Sequence, residues 1–163
     1  MSNFQLIEEL SRQLEHALVQ GGVPARFKGP GTQLLSRLRS PISVSVLGLP
    51  GKGKTSLIKM MLARPDLPSF ADVDIVEYCF SEEPRTILEF SDGSCKEFEY
   101  LVTDADQTLG AFRARLELPD EKLRSQTYVE TALSGTDADC QTLLTRAVKY
   151  SDILIWCSDS FGL

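Results

Sequence analysis

The chain has 163 residues, 42% of them hydrophobic and 25% charged, which fits one folded domain of ordinary size and excludes wholesale disorder or a fibrous repeat. Seventeen Lys and Arg against 23 Asp and Glu leave a net charge of −6, so the molecule repels polyphosphate backbones and nucleic acid is set aside as a partner. Cys79, Cys95, Cys140 and Cys157 lie far apart with no Cys-x-x-Cys pair, and no export signal or apolar run of membrane-spanning length is visible; four reduced thiols and a cytoplasmic setting are expected.

From Phe4 to Leu18, Ile7, Leu10, Leu14, Ala17 and Leu18 recur at helical spacing, and Gly21, Gly22 and Pro24 stop the pattern. An amphipathic helix therefore opens the chain. A second short helix is predicted over Thr32 to Leu38, ended by the Ser40-Pro41 break, so residues 1–40 read as a helical segment and 41–163 as the main domain. Ile42 to Leu47 reads as a strand, followed by a glycine-rich loop and the helical stretch SLIKMMLA.

Beyond a proline-punctuated loop, DIVEYCF, TILEF and CKEFEYL read as two or three strands joined by hairpins, with turns at Glu82-Glu83-Pro84 and Asp92-Gly93. Ala105 to Leu116 is expected to be helical, and SQTYVET to be a short strand. Thr136 with Asp137 and Asp139 offers a capping box for a helix running to Lys149, and DILIWCSD reads as a buried strand with Trp156 in its core. Strands alternating with helices predict an α/β protein, a three-layer, doubly wound and mostly parallel sheet with a β-hairpin insertion.

The loop Gly48-Leu-Pro-Gly-Lys-Gly53-Lys54-Thr55 matches the P-loop pattern in full, between a β-branched strand and an apolar helix where its mechanism requires it. Glycines let the backbone approach a polyphosphate so that successive N–H groups converge on it at a helix start. Gly48, Gly51, Gly53, Lys54, Thr55 and Ser56 are the candidate nucleotide-binding residues, with Lys54 charging the β- and γ-phosphates and the Thr55 hydroxyl ligating Mg²⁺. Lys52 lies in the loop but outside the pattern; it reads as a solvated charge or a further phosphate contact.

From Pro41 onward the chain resembles the GTPase domain of dynamin-like large GTPases, particularly the bacterial members, in PISVSVLGLPGKGKTSL, in the hairpin-like Val76–Leu101 stretch and in TYVETALSGTDADCQTLLTRAVKYSDILIWCSDS. The resemblance implies a P-loop GTPase fold, GTP or GDP as ligand and Mg²⁺ as cofactor. It places switch I at Pro68-Ser69-Phe70-Ala71, making Ser69 a candidate catalytic and metal residue beside Lys54. It places the Asp-Thr-Pro-Gly motif of switch II on Glu130-Thr131-Ala132-Leu133, making Glu130 a candidate metal ligand with Thr55.

Three positions depart from the family pattern. Glu130 stands for Asp and lengthens the arm towards the metal; Leu133 stands for the Gly whose N–H serves the γ-phosphate, with Gly135 as a replacement only if the loop is reregistered; Pro50 and Gly51 supply no polar side chain to arrange a water. The family's guanine-reading motif and helical stalk have no counterpart in the sequence, which reads as a fragment with an unpaired sheet edge, and membrane contact would need a region outside it. The expectation is a Mg²⁺-dependent guanine-nucleotide-binding domain with weak or no hydrolysis. Alternatives are a pseudo-GTPase or assembly module that works by protein interaction and self-association, and an ATP-dependent P-loop protein.

Overall fold

Short amphipathic helices, β-branched runs and glycine turns translate into thirteen elements of secondary structure among the residues that the computed structural model describes, 3–158. The chain divides into two units, Met1–Pro41 and Ile42–Leu163. In the first, α1 (Asn3–Val19) pairs with α2 (Ala25–Arg39). Arg39 of α2 grips the Glu15 carboxylate at 2.5 Å, and Gly31 lets the Leu18 side chain lie against the α2 backbone, where a Cβ would meet it at 2.7 Å. The second helix is longer than the sequence pattern suggests, because it starts directly after Pro24 and continues through Pro30 despite the backbone bond that a proline forfeits.

The second unit is built on a seven-stranded sheet comprising β1 (Ile42–Gly48), β2 (Ile75–Phe80), β3 (Arg85–Phe90), β4 (Cys95–Phe98), β5 (Ala111–Leu118), β6 (Gln126–Ala132) and β7 (Ile153–Trp156), in the spatial order β4-β3-β5-β2-β6-β1-β7. Strands β6, β1 and β7 run parallel around the P-loop strand, β2 is antiparallel to β6 and parallel to β5, and β3 is antiparallel to both β5 and β4. The α/β class and the P-loop fold are therefore those expected. The helices of this unit are α3 (Lys54–Leu62), the four-residue α4 (Ala105–Thr108) and α5 (Asp137–Tyr150).

Strand alternation splits the sheet into two faces of different character. Val44 and Val46 of β1, Val76 and Tyr78 of β2, Leu88 of β3, Ala114, Leu116 and Leu118 of β5 and Tyr128 of β6 pack with Ile58 and Leu62 of α3 in one buried cluster. The opposite face carries Ser43, Ser45, Glu77, Arg113 and Thr127, and encloses with α5 a cavity of about 750 Å³. On that face Arg113 spans Glu77 (2.6 Å) and Glu89 (3.3 Å), while Arg115 Nε also donates to Glu77 at 3.2 Å.

Three expectations are corrected here. Residues Ala111–Leu118 form β5 rather than a helix: Gly110 at φ +81 breaks the short α4, and the Arg-x-Arg-x-Glu alternation places apolar and charged side chains on opposite faces, which strand pairing rewards more than helix propensity. Strands β2 and β3 do not form a hairpin, since β5 inserts between them; the hairpin is β3–β4, closed by Asp92-Gly93 with Gly93 at φ +84 and the Asp92 carboxylate accepting from Ser94 N–H. Among the described residues strand β7 is an edge rather than a buried strand, paired with β1 alone, and Trp156 is 57% exposed instead of lying in the core.

Candidate functional site

The end of β1 turns straight into α3 through residues 49–53, and backbone conformation does the positioning. Gly51 (φ +75) and Gly53 (φ +79) adopt left-handed conformations, and nothing lies within 4 Å of where a Cβ would stand on either, so the concavity they line is open. Gly48 is needed for a different reason: a side chain there would overlap the carbonyl of Cys157, the residue after the neighbouring strand β7. Gly53 caps α3 without a side-chain oxygen, so no side chain caps the first N–H groups of the helix.

Lys54 is 3% exposed, and its Nζ donates to the Leu49 carbonyl at 2.8 Å, so the side chain folds back over the loop that it serves. The Thr55 hydroxyl donates to Glu130 Oε1 at 2.7 Å. That single bond joins two residues 75 positions apart in the sequence. Glu130 is flanked on its other oxygen by the Tyr78 hydroxyl at 3.4 Å. Burial pushes the Glu130 carboxyl above its ordinary range, opposed in part by the Thr55 hydrogen bond and the Lys54 charge. The Glu130 carboxylate and the Thr55 hydroxyl are two hard oxygens side by side, and among the described residues no group of three or more His, Cys, Asp or Glu gathers to hold a metal ion. Lys52 is half-buried and Ser56 is exposed on the first turn of α3.

The switch residues are placed differently. Ser69 is exposed in the connection from α3 to β2, and its hydroxyl makes no hydrogen bond to Lys54, Thr55 or Glu130 among the described residues. The structure therefore does not bring Ser69 into the Thr55–Glu130 pair. Thr86 cannot replace it, being fully buried and fixed between Tyr100 O (2.9 Å) and Val102 N–H (3.0 Å).

In switch II the Leu133 N–H donates to Gly48 O at 3.0 Å and the Ala132 N–H to Asp74 O at 2.8 Å, so both amides are already spent on the scaffold. Ser134 adds a 2.6 Å bond to the Asp74 carboxylate. Gly135, at φ +87, lies against Asp139, whose carboxylate closes the α5 capping box with Thr136; its glycine is explained by that approach, with a would-be Cβ 2.9 Å from the carboxylate. Tyr78 and Asp74 are the residues that sequence reading missed. Their signal was weak, since one lies in an apolar run and the other in a polar turn.

No family model matches the chain, and no curated protein matches it. Solved structures do. Two chains, each described as part of an oligomerised bacterial dynamin pair that senses and tethers membranes over long range, superpose with TM-scores of 0.52 and 0.51 at 20% and 21% identity. The fold is dynamin-like. The matches cover 95% and 92% of this chain but only 26% and 25% of those structures, so the chain spans about a quarter of their length. Among the described residues no helix is long and apolar enough to cross a membrane.

Proposed function

We propose that the second unit binds a guanine nucleotide with Mg²⁺ through Gly48–Ser56 and hydrolyses it slowly. The observation that carries the reading is the 2.7 Å bond from Thr55 to Glu130, which unites the P-loop hydroxyl and the switch II carboxylate at the mouth of an open, glycine-lined helix N-terminus. Loop and α3 amides would receive the phosphates, and Lys54 would leave the Leu49 carbonyl to pair with the β- and γ-oxygens. Thr55 and Glu130 would hold Mg²⁺, which when bound neutralises charge on the phosphates.

Slow turnover follows from the same geometry. Phosphoryl transfer depends on donors aimed at developing charge, and the Leu133 amide is engaged by Gly48 while Ser69 lies outside the pair. Guanine rather than adenine is proposed as the base because the fold is dynamin-like, an argument by analogy of fold. The membrane tethering and oligomerisation described for the neighbouring pair are proposed only for a longer protein containing this unit.

The test is a titration with a fluorescent non-hydrolysable GTP analogue, with and without Mg²⁺, competed by GTP and by ATP. Mg²⁺-enhanced binding displaced by GTP alone is the expected outcome; displacement by ATP with equal strength would reassign the base, and no binding would overturn the reading.

A second reading, an assembly module with a vestigial pocket, is favoured by one observation. Among the described residues no strand pairs with the outer side of β7, where Ile153, Leu154 and Trp156 are exposed at 45–57%. It requires a concentration-dependent oligomer in sedimentation and no nucleotide binding, and a monomer that binds GTP would remove it.

A further inference from the structure

The nucleotide reading leaves one buried polar group with no assigned task, the Tyr78 hydroxyl. Tyr78 is 1% exposed and sits on β2 within the apolar cluster under α3. Strand β2 runs antiparallel to β6 with Val76 opposite Glu130 and Tyr78 opposite Tyr128, so Tyr78 is the diagonal neighbour of Glu130 on the same sheet face. Glu130 divides its oxygens between two hydroxyls: Oε1 accepts from Thr55 at 2.7 Å and Oε2 from Tyr78 at 3.4 Å.

We propose that Tyr78 is a positioning residue of the cation site, holding the longer Glu130 arm so that Oε1 stays on the Thr55 hydroxyl. The proposal rests on the nucleotide reading and deepens it. A glutamate has one more rotatable bond than an aspartate, and an unrestrained arm at a half-buried site would sample rotamers that leave Thr55. The phenol meets the oxygen that Thr55 does not use, so it fixes the carboxylate without competing for its working face. The contact is long for an O–H···O bond, as hydrogen bonds around a reactive centre commonly are before ligand binds.

Hydrogen-bonded partners behind a metal ligand typically contribute about 10–100-fold to metal affinity, which sets the size of the effect. The experiment compares wild type, Tyr78→Phe and Glu130→Gln by Mn²⁺ binding in the presence of GDP, read by electron paramagnetic resonance, with GDP affinity in EDTA measured alongside. Tyr78→Phe is expected to weaken Mn²⁺ binding about 10-fold at unchanged GDP affinity in EDTA, and Glu130→Gln to weaken it at least as much. Wild-type Mn²⁺ affinity in Tyr78→Phe would overturn the proposal while leaving nucleotide binding standing. Absence of GDP binding by wild type would overturn both.

Should Tyr78→Phe not fold, wild-type protein labelled with ¹³C-tyrosine gives the decision. The Tyr78 ring resonance is expected to shift when Mg²⁺ is added to the GDP-bound protein, and an unmoved resonance would overturn the proposal.

Discussion

The two walls of the proposed phosphate site use their backbone groups differently. The β1–α3 wall leaves its backbone groups available, with open glycines and a helix start that no side chain caps. The β6–α5 wall consumes its own: the Leu133 and Ala132 amides bond to Gly48 and Asp74, and the α5 N-terminus is closed by the Thr136–Asp139 box. Both walls meet in the Thr55–Glu130 bond. On the proposed reading, affinity and turnover would rest on separate parts of the molecule, the second of them engaged in holding the scaffold together.

The most direct way to break the comparison is Lys54→Ala. Charge-assisted hydrogen bonds contribute about 1.5–3 kcal/mol, so triphosphate affinity should fall about 100-fold in a fluorescence titration; affinity within threefold of wild type would mean that the open wall is not a phosphate site. Leu133→Gly probes the other wall. Leu133 is 6% exposed, and its removal should cost about 2–3 kcal/mol in denaturant unfolding. GTP hydrolysis should not rise, because the backbone bond to Gly48 survives; a tenfold faster rate would show that the side chain, and not the engaged amide, limits the chemistry.

Thr136→Ala is a smaller change on the same wall. Thr136 accepts from the Asp139 amide and Asp139 accepts in return, so losing the cap should cost about 1 kcal/mol with nucleotide affinity unchanged. The gentlest test concerns the sheet's two faces. Burial, reinforced by Glu77, raises the Cys79 thiol to about 11, whereas Cys95 is exposed on the hairpin. Alkylation at pH 8, followed by mass spectrometry, should modify Cys95 well before Cys79, since the thiolate is the nucleophile; equal rates would mean that the polar face is more open than its ion pairs suggest.

Local chemistry made the phosphate wall legible. GLPGKGKT specifies glycine conformations, a helix start and a lysine within eight consecutive residues, and the Thr136–Asp139 cap is equally local. Ser69 could not be judged that way, because its place depends on how the α3–β2 connection runs across the fold. Glu130 was located by motif order, but its partnership with Tyr78 depends on β2 lying antiparallel to β6, which no pattern in VEYCF announces.

By itself the sequence determined the P-loop, the helices that flank it and the apolar stripe that fills one sheet face, since each is fixed by interactions between residues a few positions apart. Only the tertiary structure decided that Ala111–Leu118 is a strand, that it separates β2 from β3, that Trp156 stands on an edge and that the Leu133 amide is committed to Gly48. Those outcomes depend on which strand finds which neighbour. Burial of one face and ion pairing on the other, between Arg113, Glu77 and Glu89, settle that pairing across tens of residues, beyond the reach of local propensity.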